Sequence, residues 1–329
     1  MCSTADSKLH GIARQQITQI HIFYILHSFL ESKIIRTMDT LQLKAFIAVA
    51  ESESFSLAAE NLHLTQPAVS KRVASLEESL GSKLLDRMGR NLRLTEAGKT
   101  LLPRARRILN DIQDAQRSID NLSGTVQGDL RIATSHHIGL HRLPAILRNF
   151  LNRHPDVNLQ LEFVDSDTAY EAIHRGQVEL AIITLAQGEP QGISTKALWH
   201  DTLEFVVAPN HPLAQFKEPD LKTLCQYPAI LPEATTETTR LIKELMHQQG
   251  LSFKQALPTN YLETIKMMVS VGLGWSALPH SMIDEQLATL SFRDVRLERS
   301  LGCITLENRS LSNAANAFLE ELGPVDTHK

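Results

Sequence analysis

An α/β protein led by a small, mainly helical module and a long connecting helix is the fold class the sequence predicts, and three observations predict it. From Ser56 to Leu85, two helical segments meet at a tight turn. From Leu101 to Leu122, apolar residues recur at alternating steps of four and three. From Leu130 onward, short β-rich runs alternate with helical stretches, which implies α/β subdomains with largely parallel sheets.

The first of these reads SLAAENLHLTQPAVSKRVASLEESLGSKLL. In its second segment Val69, Val73, Leu76 and Leu80 stack on one face, which predicts a buried stripe, while Gln66, Ser70 and Lys71 occupy the opposite face. Thr65 stands at the N-cap position and Pro67 in the first turn, where a missing N–H costs nothing, so the helix is expected to start near Gln66. In the first segment Ala58, Ala59 and Leu62 allow a close crossing, with Ser56 as candidate cap. This is a helix-turn-helix whose polar, capped helix start is held outward. Amides and hydroxyls placed there can reach base edges in a major groove while neighbouring cations hold phosphates. The candidates are Thr65, Gln66, Pro67, Ser70, Lys71 and Arg72. Taken alone, the segment is equally well an ordinary amphipathic helix with a solvated face.

Its neighbourhood shifts the balance toward nucleic acid. Gln66 to Arg107 carries ten Lys and Arg against four acids. Within it MGRNLRLT, Met88 to Thr95, places Gly and Asn between basic residues and then alternates Leu92, Arg93 and Leu94, the pattern of a short β-ribbon. Such a wing can lay Arg87, Arg90 and Arg93 against flanking phosphates, an attraction that weakens steeply with salt.

These residues carry a specific resemblance. FSLAAENLHLTQPAVSKRVASLEESLGSKLLDR followed by GRNLRLTEAG is similar to the N-terminal winged helix-turn-helix of the LysR-type transcriptional regulators, almost without a gap from Leu41 to Gly98 and more loosely to the C-terminus. The matching positions include Ala58, Ala59, Leu62, Thr65, Gln66, Pro67, Ala68, Ser70, Leu76, Glu77, Gly81, Leu84, Arg87, Leu94, Thr95 and Gly98. Leu85 departs from the pattern, where the family more often has Phe.

Composition agrees with a DNA-binding head on a different kind of body. The chain has 329 residues, 43% apolar and 21% charged, which is ordinary for a globular protein of two or three domains. Its net charge of −4 hides an asymmetry: residues 129–329 hold 17 basic and 24 acidic residues. Only the N-terminal part has the balance of a polyanion binder. Cys2, Cys225 and Cys303 form no CxxC pair, so neither a disulfide framework nor a zinc site is indicated, and a reducing cytoplasm fits.

Residues 1–37 precede the matching region, and their patch Ile20 to Leu30, broken by His21, His27 and Ser28, is too short and polar to span a membrane and lacks the marks of a secretory signal. They are read as an upstream start assigned in error or as an extra segment, with weak order expected. The DNA-binding domain is expected over 38–95, opening with a helix over Leu41 to Ser52 that turns Leu43, Phe46, Ile47 and Ala50 inward. A linker helix capped by Thr95 and a hinge at LSGTVQGD then fill 96–127. In that helix Leu101, Ala105, Ile108, Ile112, Ala115, Ile119 and Leu122 form a heptad seam, suited to pairing with a like helix; packing on its own domain is the alternative.

The regulatory region is expected over 128–329, with strands at 130–134, 158–164, 180–184, 203–208, 229–231 and 276–278 and helices near 143–152, 169–175, 238–249 and 262–271. The family resemblance implies two α/β subdomains resembling periplasmic solute-binding proteins, 128–202 with 276–329 and 203–275, and crossing strands near Leu203 to Pro209 and Leu273 to Pro279. It also implies a last helix within Leu311 to Leu322, for which Ser312 is the cap.

Ligands in open α/β sheets bind beyond the carboxyl ends of strands, against helix starts. TSHHIG after the first strand, Thr184 and ATTETT qualify, and the resemblance places comparable positions around an effector cleft. The candidates are Ser135, His137, Thr184 and Thr236, each equally readable as a cap or turn residue without a ligand. His136, His137 and His141 raise a metal reading, but zinc needs three or four ligands and no further partner is visible in the sequence, so no metal and no cofactor are expected. P-loop, GxGxxG, HExxH and GxSxG patterns are absent, which disfavours an enzyme. An exported solute-binding protein, the other rival, has no use for a winged helix. The resulting expectation is a cytoplasmic, one-component regulator that binds double-stranded promoter DNA as a dimer or tetramer, activates rather than represses, and answers a small, anionic effector.

Overall fold

The computed structural model describes residues 38–88, 91–188 and 190–323. The expectations for residues 1–37 and for Arg90, and the side chain of Arg87, lie outside what it describes. The chain divides into two compact units, one ending at Ile112 and the other starting at Gln113.

In the first unit, α1 (Thr40–Ser52) starts at a capping box: the Asp39 carboxylate accepts from the Leu41 amide at 3.1 Å and Gln42 reaches back to the Asp39 N–H at 3.3 Å. Leu43 and Phe46 are buried as expected, joined by Ala45 and Val49, whereas Ile47 and Ala50 are half-buried. The cap of α2 (Phe55–Asn61) is Ser54, whose Oγ accepts from Leu57 N at 3.3 Å; the helix begins one residue before Ser56, which is therefore helical rather than capping. α3 (Gln66–Leu80) starts where the Thr65–Pro67 signal places it, but the Thr65 hydroxyl makes no capping bond. Val69 and Val73 pack with Ala45, Val49, Ala58, Ala59 and Leu92, which closes the small core.

The stripe on α3 departs from expectation at its end. Leu80 is 38% exposed, and Glu77, at 8%, takes the inward place. The helix stops at Gly81 in the left-handed region, and the chain folds back over the last turn, filling the space with Leu84. The Glu77 carboxylate accepts from the amides of Leu84 at 2.9 Å and Leu85 at 3.3 Å and from Lys83 Nζ at 2.6 Å. It thus serves the backbone of the segment entering the wing.

That wing is the antiparallel pair β1 (Leu85–Met88) and β2 (Asn91–Leu94), with Leu85 opposite Leu94 and Asp86 opposite Arg93. α4 (Glu96–Asp120) follows; Thr95 Oγ1 accepts from Gly98 N at 3.0 Å, which confirms it as the cap. Gly98 sits so close to the Leu84 carbonyl that a Cβ would lie 2.1 Å from its oxygen. The heptad seam is divided. Leu101, Ala105 and Ile108 pack onto Leu43, Phe46, Leu76 and Leu84 of their own module, with Ala105 fully buried, while Ile112, Ala115, Ile119 and Leu122 are exposed. The N-terminal half of the seam is therefore a core face and only its C-terminal half is open.

The second unit is built on one seven-stranded sheet. β3 (Gly128–Thr134) leads through α5 (His136–His141) and α6 (Leu143–Arg153) to β4 (Val157–Phe163), then through α7 (Ser166–Arg175) to β5 (Leu180–Thr184). β4 and β5 flank β3 in parallel, the right geometry for helical crossovers. α6, the C-terminal helix and the inner face of these strands enclose one apolar cluster around Leu130, Ile132, Phe150, Leu180 and Phe318.

β6 (Ile193–Val207) is long enough to leave this lobe and enter another. There the chain makes α8 (Leu221–Leu224), β7 (Ala229–Ile230), α9 (Glu237–Gln248), β8 (Gln255–Ala256), α10 (Leu262–Ser270), β9 (Ser276–Pro279) and β10 (Ala288–Leu290). β11 (Leu297–Leu306) returns antiparallel to β6, and α11 (Asn313–Glu321) ends the unit with Ser312 Oγ accepting from Ala315 N at 3.0 Å. The strand order is β10-β6-β11-β5-β3-β4, with β9 also on β6.

The crossings differ from expectation. Leu198 belongs to the first lobe's cluster and Leu203 to the second's, and likewise Leu301 and Leu297, so the chain crosses within β6 and β11. The 273–279 stretch is not a crossing: β9 pairs with β6 inside the second lobe, Phe205 opposite Ala277. The second lobe therefore runs on to about Leu297 rather than ending at 275. At the crossing β11 shifts register between Leu301 and Gly302, and a Cβ on Gly302 would lie 2.4 Å from the Lys196 carbonyl oxygen of β6.

Candidate nucleic-acid interface and effector cleft

The start of α3 presents Thr65, Gln66, Pro67 and Lys71 exposed, with Ser70 and Arg72 half-buried beside them. Burial of Val69 and Val73 against α1 and α2 fixes which way these side chains face. The side chains of Thr65, Gln66, Ser70, Lys71 and Arg72 hydrogen-bond no described residue, so the Thr65 hydroxyl and the Gln66 amide remain available for a partner's groups. Arg93 is exposed on β2, across the ladder from Asp86. Hydrogen-bonding groups at a helix start with cations beside them are the equipment for reading a groove edge between two phosphate rows.

In the second unit all four expected effector positions converge. A cleft of about 420 Å³ lies between the two lobes of the sheet, lined from one side by Ser135, His136 and His137 at the start of α5, Asp165 to Thr168 at the start of α7, Tyr170 and Thr184. Glu233, Thr235 to Thr238 and Arg240 around the start of α9, together with Asn260, Leu262 and Arg299, line the other. The volume suits a metabolite-sized molecule.

The four positions are not equivalent. Thr236 caps α9, donating to the Glu233 carbonyl at 2.8 Å and accepting from Thr239 N at 3.4 Å, so its hydroxyl already has structural work. Ser135 and Thr184 have hydroxyls with no hydrogen-bond partner among the described residues, and Ser135 stands at an N-cap without capping. His137 is 5% exposed, and neither of its ring nitrogens has a hydrogen-bond partner among the described residues. Leaving such a group unmatched costs about 1–3 kcal/mol. Burial, reinforced by the Arg299 guanidinium, pushes the His137 pKa down to about 4, against the opposing pull of Asp201 and Glu263, so the ring is neutral near pH 7.

Other polar groups in and beside the cleft were not apparent in the sequence because their partners are distant in the chain. Arg299 is buried on β11 and donates to Asp201 of β6 at 2.9 and 2.7 Å and to Thr238 Oγ1 at 2.8 Å. Asn260 Nδ2 donates to Asp165 Oδ2 at 2.9 Å, from one lobe to the other. His141 Nε2 and Glu263 Oε1 meet at 2.9 Å, again between lobes. Asp201 and Arg299 are charged residues at inward positions of β6 and β11, which no local pattern in the sequence marks. The lining carries Asp165, Asp167, Glu233 and Glu237 against Arg240 and Arg299, and both arginines are paired, Arg240 with Glu237.

A basic, polar helix start in one unit and a two-lobed, ligand-sized cleft in the other define a DNA-binding regulator with an effector-binding domain. Residues 40–99 match the bacterial regulatory helix-turn-helix of the lysR family, and residues 123–325 match the LysR substrate-binding domain. The chain belongs to the LysR family of transcriptional regulators. Among its relatives, the RuBisCO operon transcriptional regulator of Acidithiobacillus ferrooxidans is 32% identical, covering 85% of this chain and 92% of that protein. An HTH-type transcriptional regulator of the ibpB–leuC intergenic region of Azotobacter vinelandii is 64% identical over 107 residues, 32% of this chain and 74% of its own. A full-length OxyR variant from Pseudomonas aeruginosa shares the fold, with a TM-score of 0.63 at 21% identity over 87% of this chain and 98% of that one. None of the described helices is long and apolar enough to cross a membrane.

Proposed function

We propose that this regulator works in the cytoplasm as a DNA-bound oligomer, performs no catalysis, and activates transcription when a small carboxylate bearing hydroxyl or amino groups occupies the cleft of the second unit. The observation that carries the reading is the convergence of Ser135, Thr184, the start of α7 and the acids Asp165 and Glu233 on one metabolite-sized cleft. Asp165 at the N-cap of α7 makes no capping bond, so the first amides of that ten-residue helix are free to receive a carboxylate, with the Ser135 and Thr184 hydroxyls beside it. Asp165 and Glu233 would accept from the hydroxyl or amino groups. Four carboxylates in the lining oppose a polyanion, so a single negative charge is the best match. Ligand binding acts as a switch to the extent that it favours one arrangement of the lobes, and a coupling of roughly 1–3 kcal/mol is enough to alter promoter occupancy.

The test is a thermal-shift screen of the full chain against hydroxylated monocarboxylates, dicarboxylates, neutral sugars and amines, followed by footprinting on the DNA upstream of its own gene. Stabilisation by monocarboxylates, with a changed footprint, is expected; stabilisation by amines or neutral compounds alone would sink the carboxylate assignment. Oligomerisation is assigned to the open half of α4, where Ile112, Ala115 and Ile119 keep the heptad spacing. Changing Ile112 and Ile119 together to Asp should leave a folded monomer in sedimentation, and an unchanged mass would place the interface elsewhere.

A further inference from the structure

His137 and His141 are four apart on α5, so their rings face the same way, with centroids 5.0 Å apart. Glu263 stands in the first turn of α10, in the opposite lobe, with Oε1 2.9 Å from His141 Nε2. One donor atom from each of the three lies within 4.8 Å of the others. Of the three histidines on this stretch, His137 and His141 share a face, and folding brings Glu263 to them from 122 residues beyond His141.

We propose that His137, His141 and Glu263 form a site for a divalent transition metal, with zinc as the ion of best fit, joining the two lobes beside the effector cleft. Two imidazoles and a carboxylate are ligands that zinc and its neighbours prefer and that calcium and magnesium do not. Donors around a tetrahedral zinc are roughly 3.3 Å apart, so a side-chain rotation brings the three into place. His137 supplies the independent sign of a ligand. It is only 5% exposed, and both its nitrogens lack a hydrogen-bond partner among the described residues. Buried polar atoms in folded proteins have partners, and a metal at this point would provide one.

The surroundings allow the charge. Arg299 is the cation that faces His137, and its guanidinium is bound to Asp201, which itself lies 4.0 Å from His137 Nε2. Glu263 supplies a negative charge at the site itself. Three protein ligands leave one tetrahedral position open to water or to a group of the cleft's occupant. Ligands from both lobes mean that metal binding favours the arrangement in which α5 and α10 are close. Metal binding at these three side chains needs no small molecule in the cleft.

The experiment uses the full chain, stripped with a chelator and titrated with Zn²⁺ by calorimetry and with Co²⁺ by visible absorption. About one ion per chain should bind, and Co²⁺ should show the intense d–d bands of four-coordinate geometry. His141→Ala and Glu263→Gln, both at solvent-accessible positions, should each weaken Zn²⁺ by at least about 100-fold, the upper end of the effect of a supporting residue, and abolish the Co²⁺ bands. Asp167→Asn, a cleft carboxylate outside the cluster, should leave both signals intact. Absence of saturable Zn²⁺ binding would overturn the site, as would wild-type affinity in either ligand variant, since the ion would then sit elsewhere or lack the carboxylate. Circular dichroism of each variant separates loss of a ligand from loss of fold.

Discussion

The two units assemble their working surfaces on different length scales. In the DNA-binding unit, everything α3 presents, from Thr65 to Arg72, lies within two helical turns, and the core that orients it comes from the two preceding helices. In the effector unit, Arg299 meets Asp201 across 98 residues and Asn260 meets Asp165 across 95. A local surface tolerates substitutions one at a time, because each side chain rests on a helix that forms without it. A surface built from distant segments depends on the contacts that hold those segments together. A buried charge from each unit, Glu77 in one and the Arg299–Asp201 pair in the other, offers the most direct way to test this contrast.

The largest effect is expected at Asp201. Its carboxylate is 4% exposed and Arg299 is 6% exposed, so Asp201→Asn strands a guanidinium in the interior at the point where β6 and β11 cross between lobes. Breaking such a pair from one side costs about 3–5 kcal/mol. Thermal unfolding of the full chain should show the effector unit's transition lowered by on the order of 10 °C. The DNA-binding unit's transition should not move. A joint shift of both would show that the two units unfold together and would break the contrast.

Glu77 should cost less, because its three donors are near in sequence and two are backbone amides that can rearrange. Glu77→Ala is expected to destabilise the DNA-binding unit by about 1–3 kcal/mol, as expected for uncovered amides at Leu84 and Leu85. Burial alone would raise the pKa of this carboxyl, but the Lys83 ammonium and the two amides together hold it below its ordinary value of 4.5. The sign follows from that direction. The stabilisation is complete above the unfolded-state pKa and is lost as pH falls through the lower native one. Urea titrations of wild type and Glu77→Gln from neutral to acid pH should therefore converge at the acid end, and a constant difference would refute the ionised role.

The same contrast explains what could be read in the sequence. The start of α3, the Thr95 cap and β5 follow from patterns a few residues long and stand where their residues predict; the wing is present too, but its first strand, Leu85–Met88, lies ahead of the Met88–Thr95 stretch that signals it. Leu80 misled because periodicity cannot show that the chain turns back at Gly81 and covers the last turn with Leu84 instead. The first half of β6 and all of β11 went unrecognised for another reason. Charges fall within both, Lys196 and Asp201 in β6 and the adjacent Glu298 and Arg299 in β11, and β11 breaks its alternation of burial at Gly302, so neither reads as a buried strand. The family resemblance puts the second crossing on the run that forms β9, which instead pairs with β6 inside the second lobe. The cleft's hydroxyls were visible as turn residues after strands, whereas Glu263, Asp201 and Asn260 gave no local sign because their partners lie about a hundred residues away.

The smallest expected effect on stability falls on the DNA-contacting surface itself, where a change should alter recognition and leave folding untouched. Gln66 and Arg93 separate the two kinds of contact. Gln66, exposed at the first turn of α3 with no described partner, is placed to meet a base edge, so Gln66→Ala should lose about 1–3 kcal/mol on the promoter site and almost nothing on random duplex. Arg93 is exposed on the wing and placed to meet a phosphate, so Arg93→Ala should weaken both duplexes alike and make the salt dependence shallower by about one unit. The measurement is affinity for both duplexes across a salt series. Equal losses on specific and random DNA for Gln66→Ala would remove it from the base-reading set. A steeper loss on specific DNA for Arg93→Ala would show that the wing reads shape or sequence rather than holding phosphate.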